Sequence, residues 1–207
     1  MASGRKMSSR RTRAVDPVER IVDAALALAE ETEWDHVRLR LVAARLGMPM
    51  AELQRHFRDL DAVADALFRR AWTAMLAPLP SGFEQRPARE RLFAILWRWF
   101  EALAPHRRVA VQMIRGKIYL SHPHHWVPLI FNLSRTVHWL RDAASLDATG
   151  RRRQVEEIGL TLLLLDTLRV WARDESADQE RTRAHLQRRL EVAERLVTRL
   201  FPTGRTG

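Results

Sequence analysis

The side chains with the clearest binding chemistry lie between Arg38 and His56. Gln54 and Arg55 are neighbours there; a Gln amide can pair with the edge of adenine, and an Arg guanidinium with guanine or a phosphate. Arg38 and Arg40, earlier in the same stretch, could hold phosphate groups. Together these residue types predict a DNA-binding surface, with candidate contacts from Arg38, Arg40, Met50, Glu52, Gln54, Arg55 and His56.

Two short helices joined by a tight turn would place these side chains on one surface. Apolar residues recur at the spacing of a single helical face from Leu39 to Leu46. Gly47 would end this helix, because glycine adopts left-handed backbone angles without a steric cost. Pro49 suits the first turn of the next helix, which would bury Leu53 and Phe57. The pattern predicts a helix-turn-helix, and in DNA-binding versions the second helix enters the major groove.

The rest of the chain has helical periodicity without the alternation typical of strands. A capped helix starts at Asp16-Pro17, a connecting helix follows the helix-turn-helix, and Pro78–Gly82 breaks that connecting helix. Five further helices are predicted between Ala88 and Phe201. The sequence therefore predicts an all-α protein of about nine helices. Its parts would be a disordered basic arm (1–15), a three-helix helix-turn-helix domain (16–77) and a ligand-binding and dimerisation bundle (86–201).

The last two helices give more specific expectations. The run from Glu157 to Trp171 is apolar on most sides, which predicts a helix at the centre of its domain. Asp166 interrupts this run, and such an acid usually pairs with an Arg across a bundle or lies at a subunit seam. The final helix, from about Gln179 to Phe201, would turn inward Leu186, Leu190, Ala193, Leu196 and Leu200.

Aromatic side chains of the C-terminal part could be ordinary core or could line a cavity. Each one taken singly is most simply a core residue, but seven Trp in 207 residues is a high number for a helical bundle. As a set they predict an apolar ligand pocket, in which Met113 would supply adaptable packing. The candidate lining is Trp97, Phe100, Met113, Phe131, Trp139 and Trp171.

Metal binding and catalysis have little support. His122, His124 and His125 are irregularly spaced around a proline, and the chain has no cysteine, so a solvated loop is the simpler interpretation. No nucleophile is paired with a base. We therefore expect no enzymatic activity, no cofactor and no metal. The lack of cysteine, of a secretory signal pattern and of an uncharged apolar run of about 18 residues favours a cytoplasmic protein.

The net charge of +10 is unevenly distributed. Residues 1–13 carry five Arg or Lys and no acid, whereas residues 14–70 carry eight Arg against eleven acids. The basic arm is either a solubilising tail or a segment that follows DNA phosphates. The remaining positive charge lies in the C-terminal part, where it could meet anionic lipid headgroups.

The N-terminal third resembles the TetR family of bacterial transcription regulators. The residues that carry the resemblance are Ile21-Val22-Asp23-Ala24-Ala25, Arg40, Val42-Ala43, Gly47, Leu53, His56-Phe57 and Asp61-Ala62-Val63. The resemblance implies a homodimeric regulator that binds a roughly palindromic operator and responds to an apolar ligand. The recognition helix departs from the family pattern, because Pro49 to Gln54 stand where Ser-Lys-Gly-Thr-Leu-Tyr is usual. The Tyr and Lys that hold phosphates in the family are therefore absent.

The C-terminal part has a resemblance of its own. Pro105-His106-Arg107, and the run from Leu168 to Asp178 that leads to Thr182 and Leu186, are similar to the lipid-binding accessory proteins of ubiquinone biosynthesis. Those proteins have a TetR-like fold, so this resemblance implies an alternative function. The chain would then bind an isoprenoid lipid at a membrane and would not bind DNA. The sequence leaves both hypotheses open, and it predicts a dimer formed through the last two long helices.

Overall fold

The computed structural model describes residues 16–117 and 123–202, with side chains over 16–116 and 133–202. The predicted arm over 1–15 and the loop residue His122 lie outside the described residues. No strand occurs in the described ranges, so the all-α prediction is confirmed. The helices are α1 (Pro17–Thr32), α2 (Leu39–Leu46), α3 (Met50–His56), α4 (Leu60–Met75), α5 (Ala88–Leu103), α6 (Arg107–Lys117), α7 (Pro123–Ala143), α8 (Gly150–Trp171) and α9 (Glu180–Leu200).

Helix α1 supplies one wall of the N-terminal core. Its start is capped as the sequence predicts, because Asp16 Oδ1 accepts a 3.0 Å hydrogen bond from the backbone N–H of Val18. One face of α1 is buried where it packs against α2 and α4, at Ile21, Val22, Ala25, Leu26 and Ala29. Each fully buried Leu, Ile or Val contributes about 1.5–3 kcal/mol, so this face holds the three helices together.

Helix α4 connects the helix-turn-helix to the rest of the protein. Asp59 Oδ1 accepts a 2.7 Å hydrogen bond from the backbone N–H of Ala62 and so caps the helix start. The helix packs along α5 and buries the residues predicted to face inward, Val63, Leu67 and Ala71. The buried apolar side chains form one cluster that includes residues on both sides of the 78–82 break. A displacement of α4 would therefore change packing contacts in both parts of the chain.

An aromatic cluster joins α5 to α8. The rings of Trp99 and Phe100 lie 5.1 Å apart at 90°, and the rings of Phe100 and Trp171 lie 5.7 Å apart. Phe100 and Trp171 are fully buried. Edge-to-face and tilted contacts of this kind favour one arrangement of the two helices.

Two helices begin earlier than the sequence pattern predicts. Helix α8 starts at Gly150 rather than at Glu157, and α7 starts at Pro123 rather than at Trp126. The first turns of α8 are polar and carry ion pairs at helical spacing, which apolar periodicity cannot detect. These pairs are Arg152–Glu156 at 3.0 Å and Arg153–Glu157 at 2.8 Å.

The last two helices leave apolar side chains on the surface, which corrects two predictions. Helix α8 is not enclosed on all sides, and Leu196 and Leu200 of α9 do not face inward. Leu186 and Leu190 are buried as predicted. The apolar side chains that remain 45–62% exposed are Ile158, Leu162, Leu165, Val192, Leu196 and Leu200; we call them the α8/α9 apolar face. None of the described helices has the length and apolar content needed to cross a membrane.

Candidate functional site

The turn between α2 and α3 has the geometry that the sequence predicts. Gly47 adopts φ 62° and ψ 29°, in the left-handed region. The backbone N–H of Met48 donates to Ala43 O at 3.0 Å, and the N–H of Gly47 donates to Ala44 O at 3.2 Å. These two bonds form a Schellman motif, which satisfies the last carbonyls of α2 and fixes the direction in which α3 leaves.

Helix α3 has one buried side and one exposed side. Leu53 and Phe57 are buried in the core of the first three helices. Pro49 precedes the helix as its N-cap residue, with φ −62° and ψ 143°, rather than occupying its first turn. Of the predicted contacts on this helix, Glu52 is half-buried, whereas Met50, Gln54, Arg55 and His56 are exposed.

The arginines of this region differ in the internal contacts that their guanidiniums make. Arg38 Nη1 donates to Asp35 O at 2.7 Å and to Val37 O at 2.8 Å, so this side chain closes the turn before α2. Arg45 pairs with Glu31 at 2.5 Å, and Arg58 pairs with Asp59 at 2.9 Å. Arg40 and Arg55 are exposed and form no ion pair within the described ranges. These two guanidiniums can meet an external anion without first breaking an internal contact.

Helix α6 links the C-terminal part to the helix-turn-helix. Gln112 Oε1 accepts a 2.8 Å hydrogen bond from the backbone N–H of Trp34, in the turn between α1 and α2. Arg108 donates to the carbonyl oxygen of Glu30 near the end of α1. His106 Nδ1 lies 3.4 Å from the Glu30 carboxylate. The position of α6 is therefore tied to the turn that precedes α2.

A cavity of about 390 Å³ lies between the connecting helix and the C-terminal helices. Its volume falls in the range typical of small-molecule sites. Helix α4 contributes four residues at helical spacing, Asp65, Phe68, Arg69 and Trp72. The other lining residues come from α5, α6, α7 and α8: Trp99, Ile114, Leu133, Arg135, Thr136, Leu164 and Leu168. A ligand here would contact α4, the helix that follows α3 directly.

Of the predicted pocket residues, those with described side chains do not line this cavity. Phe100, Met113 and Trp171 are buried in the core, beside or near lining residues. Trp97 lines a separate cleft, where its Nε1 donates to Glu101 Oε1 at 2.7 Å. Trp139 is 53% exposed. The side chain of Phe131 lies outside the described residues.

Sequence reasoning missed the contribution of α4. The signal was present, because Phe68 and Trp72 are four residues apart and lie on a different face from Val63, Leu67 and Ala71. A helix with a second aromatic face has a second partner or an opening beside it. The other described lining residues come from four more helices that are far apart along the chain, and no spacing rule connects them.

The run that carries the second resemblance forms the connection between α8 and α9. The carboxylate of Asp174 is fully buried and accepts hydrogen bonds from the backbone N–H groups of Ser176 (2.9 Å) and Thr182 (2.7 Å) and from both hydroxyls (2.5 Å). Burial opposes ionisation, but these hydrogen bonds outweigh it and lower the pKa of Asp174 from 3.8 to about 2. This part of the run therefore has a structural role in starting α9.

Asp166 pairs α8 with α9. Its Oδ2 lies 2.9 Å from His185 Nε2 and 2.8 Å from Arg189 Nε. Partial burial opposes ionisation of this carboxyl, but the hydrogen bond with His185 and the charges of Arg189, His185 and Arg169 lower its pKa. The expectation that this acid pairs with an Arg across the bundle is confirmed.

Solved structures similar to this chain include a TetR transcriptional regulator from Nitrosomonas europaea ATCC 19718. The two chains are 39% identical, the match covers 86% of this chain and 97% of that one, and the TM-score is 0.77. A TetR transcriptional regulator from Rhodococcus sp. RHA1 is 18% identical, with coverage of 85% and 93% and a TM-score of 0.60, and so shares the fold. No protein-family model and no curated protein matches this chain.

Proposed function

The chain belongs to the TetR family of transcriptional regulators, and on that basis we propose that it binds a roughly palindromic operator as a homodimer and responds to a ligand. Residues 16–77 would form the DNA-binding domain and residues 86–201 the ligand-binding and dimerisation domain. The observation that carries the proposal is the arrangement of α3. Its apolar residues Leu53 and Phe57 are buried, and Gln54, Arg55 and His56 are left on the surface.

Helix α3 is the element that would enter the major groove. Gln54 would pair with an adenine edge and Arg55 with guanine or a phosphate, while Met50 would contact a thymine methyl group. Arg40 would hold a phosphate beside the groove, because its guanidinium forms no ion pair with a described residue. Arg38 can contribute a phosphate contact only with the donors left over from its two carbonyl contacts. Glu52 is half-buried and would accept from a cytosine amino group.

The α8/α9 apolar face supports the homodimer. Helices α8 and α9 pack on each other, and both leave large apolar side chains in contact with water. An exposed apolar surface on two long helices favours a self-complementary contact with a second copy, which would form a four-helix interface. A two-fold dimer presents two α3 helices, and half-sites about 34 Å apart make the operator roughly palindromic.

The cavity beside α4 supports the response to a ligand. A ligand that binds one position of α4 better than another shifts the population between the two. Because α3 and α4 are separated by only three residues, Phe57 to Asp59, a shift of α4 would move the recognition helix. The link from α6 to Trp34 gives the same cavity a second connection to the helix-turn-helix, since Ile114 of α6 lines it.

Selection of genomic DNA fragments tests the proposal directly. The purified full chain, the Arg55→Ala variant and a chain lacking residues 1–13 would each be incubated with fragments at physiological salt and excess competitor DNA. The matched control is Arg151→Ala, which removes an exposed arginine at the start of α8. We expect the full chain and the control to enrich a palindrome, and Arg55→Ala to lose roughly tenfold or more in affinity for it.

The other outcomes have distinct meanings. Enrichment by the full chain but not by the chain lacking 1–13, without sequence preference, would mean that the basic arm alone attracts DNA. Equal affinity of the Arg55→Ala variant would contradict the proposed docking of α3. If no palindrome is enriched by any form, the proposal fails, and the alternative of a lipid-binding accessory protein of ubiquinone biosynthesis becomes the one to test.

A further inference from the structure

Two arginines of the cavity form no ion pair with any residue that the structure describes. Arg69 of α4 and Arg135 of α7 both line the cavity, both are exposed, and neither guanidinium forms an ion pair with a described residue. The next residue, Arg70, differs from Arg69, because its guanidinium forms ion pairs with Glu19 at 2.6 Å and with Asp23 at 2.7 Å. The face of α4 turned toward α1 therefore holds its arginine in ion pairs, whereas Arg69 on the cavity face forms none with a described residue.

A described acid also lines this cavity and contributes to its charge. Asp65 lies one turn before Arg69 on α4, and it already takes part in an interaction of its own. Among the described residues, the charged groups of the lining are thus two guanidiniums and one engaged carboxylate. The field inside the cavity favours a negatively charged group on a ligand.

Apart from Thr136, the rest of the described wall is apolar and partly aromatic. Phe68 and Trp99 stack with ring centroids 6.5 Å apart and an interplanar angle of 17°. Trp72, Leu133, Leu164 and Leu168 complete a surface without charge. A hydrocarbon chain is the partner that such a wall binds best, because each methylene removed from water contributes about fourfold in affinity.

We propose that the cavity binds an amphipathic organic anion, a carboxylate with a medium-length hydrocarbon chain. The chain would lie against the aromatic wall, and the carboxylate would accept hydrogen bonds from Arg69 and Arg135, in the fork geometry that suits a guanidinium. This inference rests on the proposed function in one respect, since it names the ligand class of the regulator's cavity. It goes further by naming the two residues that select for charge.

The positions of Arg69 and Arg135 explain how a bound ligand would act on the recognition helix. Arg69 belongs to α4, which follows the recognition helix, whereas Arg135 belongs to α7, which packs on α8 and α5. A carboxylate held between them would add a contact between α4 and the C-terminal bundle. A neutral ligand of the same shape would fill the cavity without making that connection, so it would shift α4 less.

Calorimetry with three probes of equal chain length tests the proposal on the full chain. The probes are dodecanoate and dodecyltrimethylammonium, each kept below its critical micelle concentration, and dodecanol, kept below its solubility limit. We expect dodecanoate to bind about tenfold more tightly than dodecanol, and the cationic probe to bind most weakly. Quenching of Trp fluorescence offers a second readout, because Trp72 and Trp99 line the cavity.

The variants Arg69→Met and Arg135→Met remove each charge and keep most of the side-chain length. Each should lower the affinity for dodecanoate toward that of dodecanol and leave dodecanol binding unchanged, which also shows that the variant is folded. The matched control is Arg115→Met, an exposed arginine that follows Ile114 on α6 but does not line the cavity. This control should bind all three probes as the unmodified protein does.

The results separate this inference from the proposed function, because calorimetry needs no DNA. Dodecanoate binding that depends on Arg69 and Arg135 would uphold the inference even if the DNA selection fails. Equal affinity for dodecanoate and dodecanol, preference for the cation, or no binding of any probe would overturn it even if the DNA selection succeeds. An equal loss in Arg115→Met would also overturn it, since the effect would then be one of general charge.

Discussion

The backbone N–H of Trp34 donates a 2.8 Å hydrogen bond to Oε1 of Gln112, across 78 positions of sequence. Trp34 is buried in the turn before α2, and Gln112 lies on α6 two residues before Ile114 of the cavity wall. A partly buried backbone donor of this kind needs an acceptor, and here the acceptor comes from the other part of the chain. The bond therefore makes the placement of α2 depend on the placement of α6.

Replacing this acceptor should weaken both the fold and the response to ligand. In Gln112→Leu the N–H of Trp34 is left without an acceptor, and we expect a loss of about 1–2 kcal/mol in the free energy of unfolding. Ligand should then change operator affinity less than in the unmodified protein. Urea denaturation and operator binding with and without ligand measure the two effects. Gln112→Glu keeps an acceptor oxygen, so it should retain most of the stability and most of the ligand response. Equal defects in the two variants would contradict the role of Gln112 as acceptor for Trp34.

The turn residue Gly47 gives a test of backbone conformation alone. A Cβ added at Gly47 would meet no atom within 4 Å, so a substitution there has no packing cost. With φ at 62°, Gly47→Ala should lower the free energy of unfolding by about 1 kcal/mol through strain. Gly47→Asn should cost less, because Asn tolerates left-handed angles better. Thermal melts of the two variants compare these costs, and an Ala variant as stable as the Asn variant would refute the assignment to strain.

Asp174 should make part of the stability depend on acid pH. Its folded pKa of about 2 lies below the unfolded value of 3.8, so its contribution is complete above about pH 4 and is lost as the pH falls toward 2. A shift of that size corresponds to roughly 2 kcal/mol. Asp174→Asn cannot ionise, so the difference in free energy of unfolding between the two proteins should shrink as the pH falls from 5 to 2. A difference that stays constant with pH would argue against this carboxylate as the cause.

The α8/α9 apolar face should hold two copies together. Leu162→Glu places a charge on an exposed side chain of α8, so the monomer should keep its helical content while the dimer dissociates. Operator affinity should fall with the loss of the second recognition helix. Sedimentation at several concentrations measures the assembly. Leu76→Glu is the control, since Leu76 is also exposed but lies just after α4; dissociation in both variants, or in neither, would count against this interface.

Much of the helix-turn-helix could be predicted because its signals are local. The caps at Asp16 and Asp59 act on N–H groups two or three residues away, and Gly47 closes its turn within six residues. The buried and exposed sides of α3 follow from helical spacing alone. The start of α8 was predicted too late for the same physical reason, since its first turns are held by surface ion pairs and carry no apolar periodicity.

Local patterns of residue type were enough to predict that the segments are helical, where α2 ends and which side of α3 is buried. The packing of the helices was needed to show that Arg69 and Arg135 line one cavity, that Trp34 bonds to Gln112, and that Leu162 and Leu196 are exposed. The two sets of features differ in how far apart along the chain the interacting residues are. Caps, turns and helical faces depend on neighbours within one turn, whereas a cavity depends on how several helices pack. An apolar face also has the same spacing whether its own chain or a second copy covers it, so periodicity cannot tell the two apart.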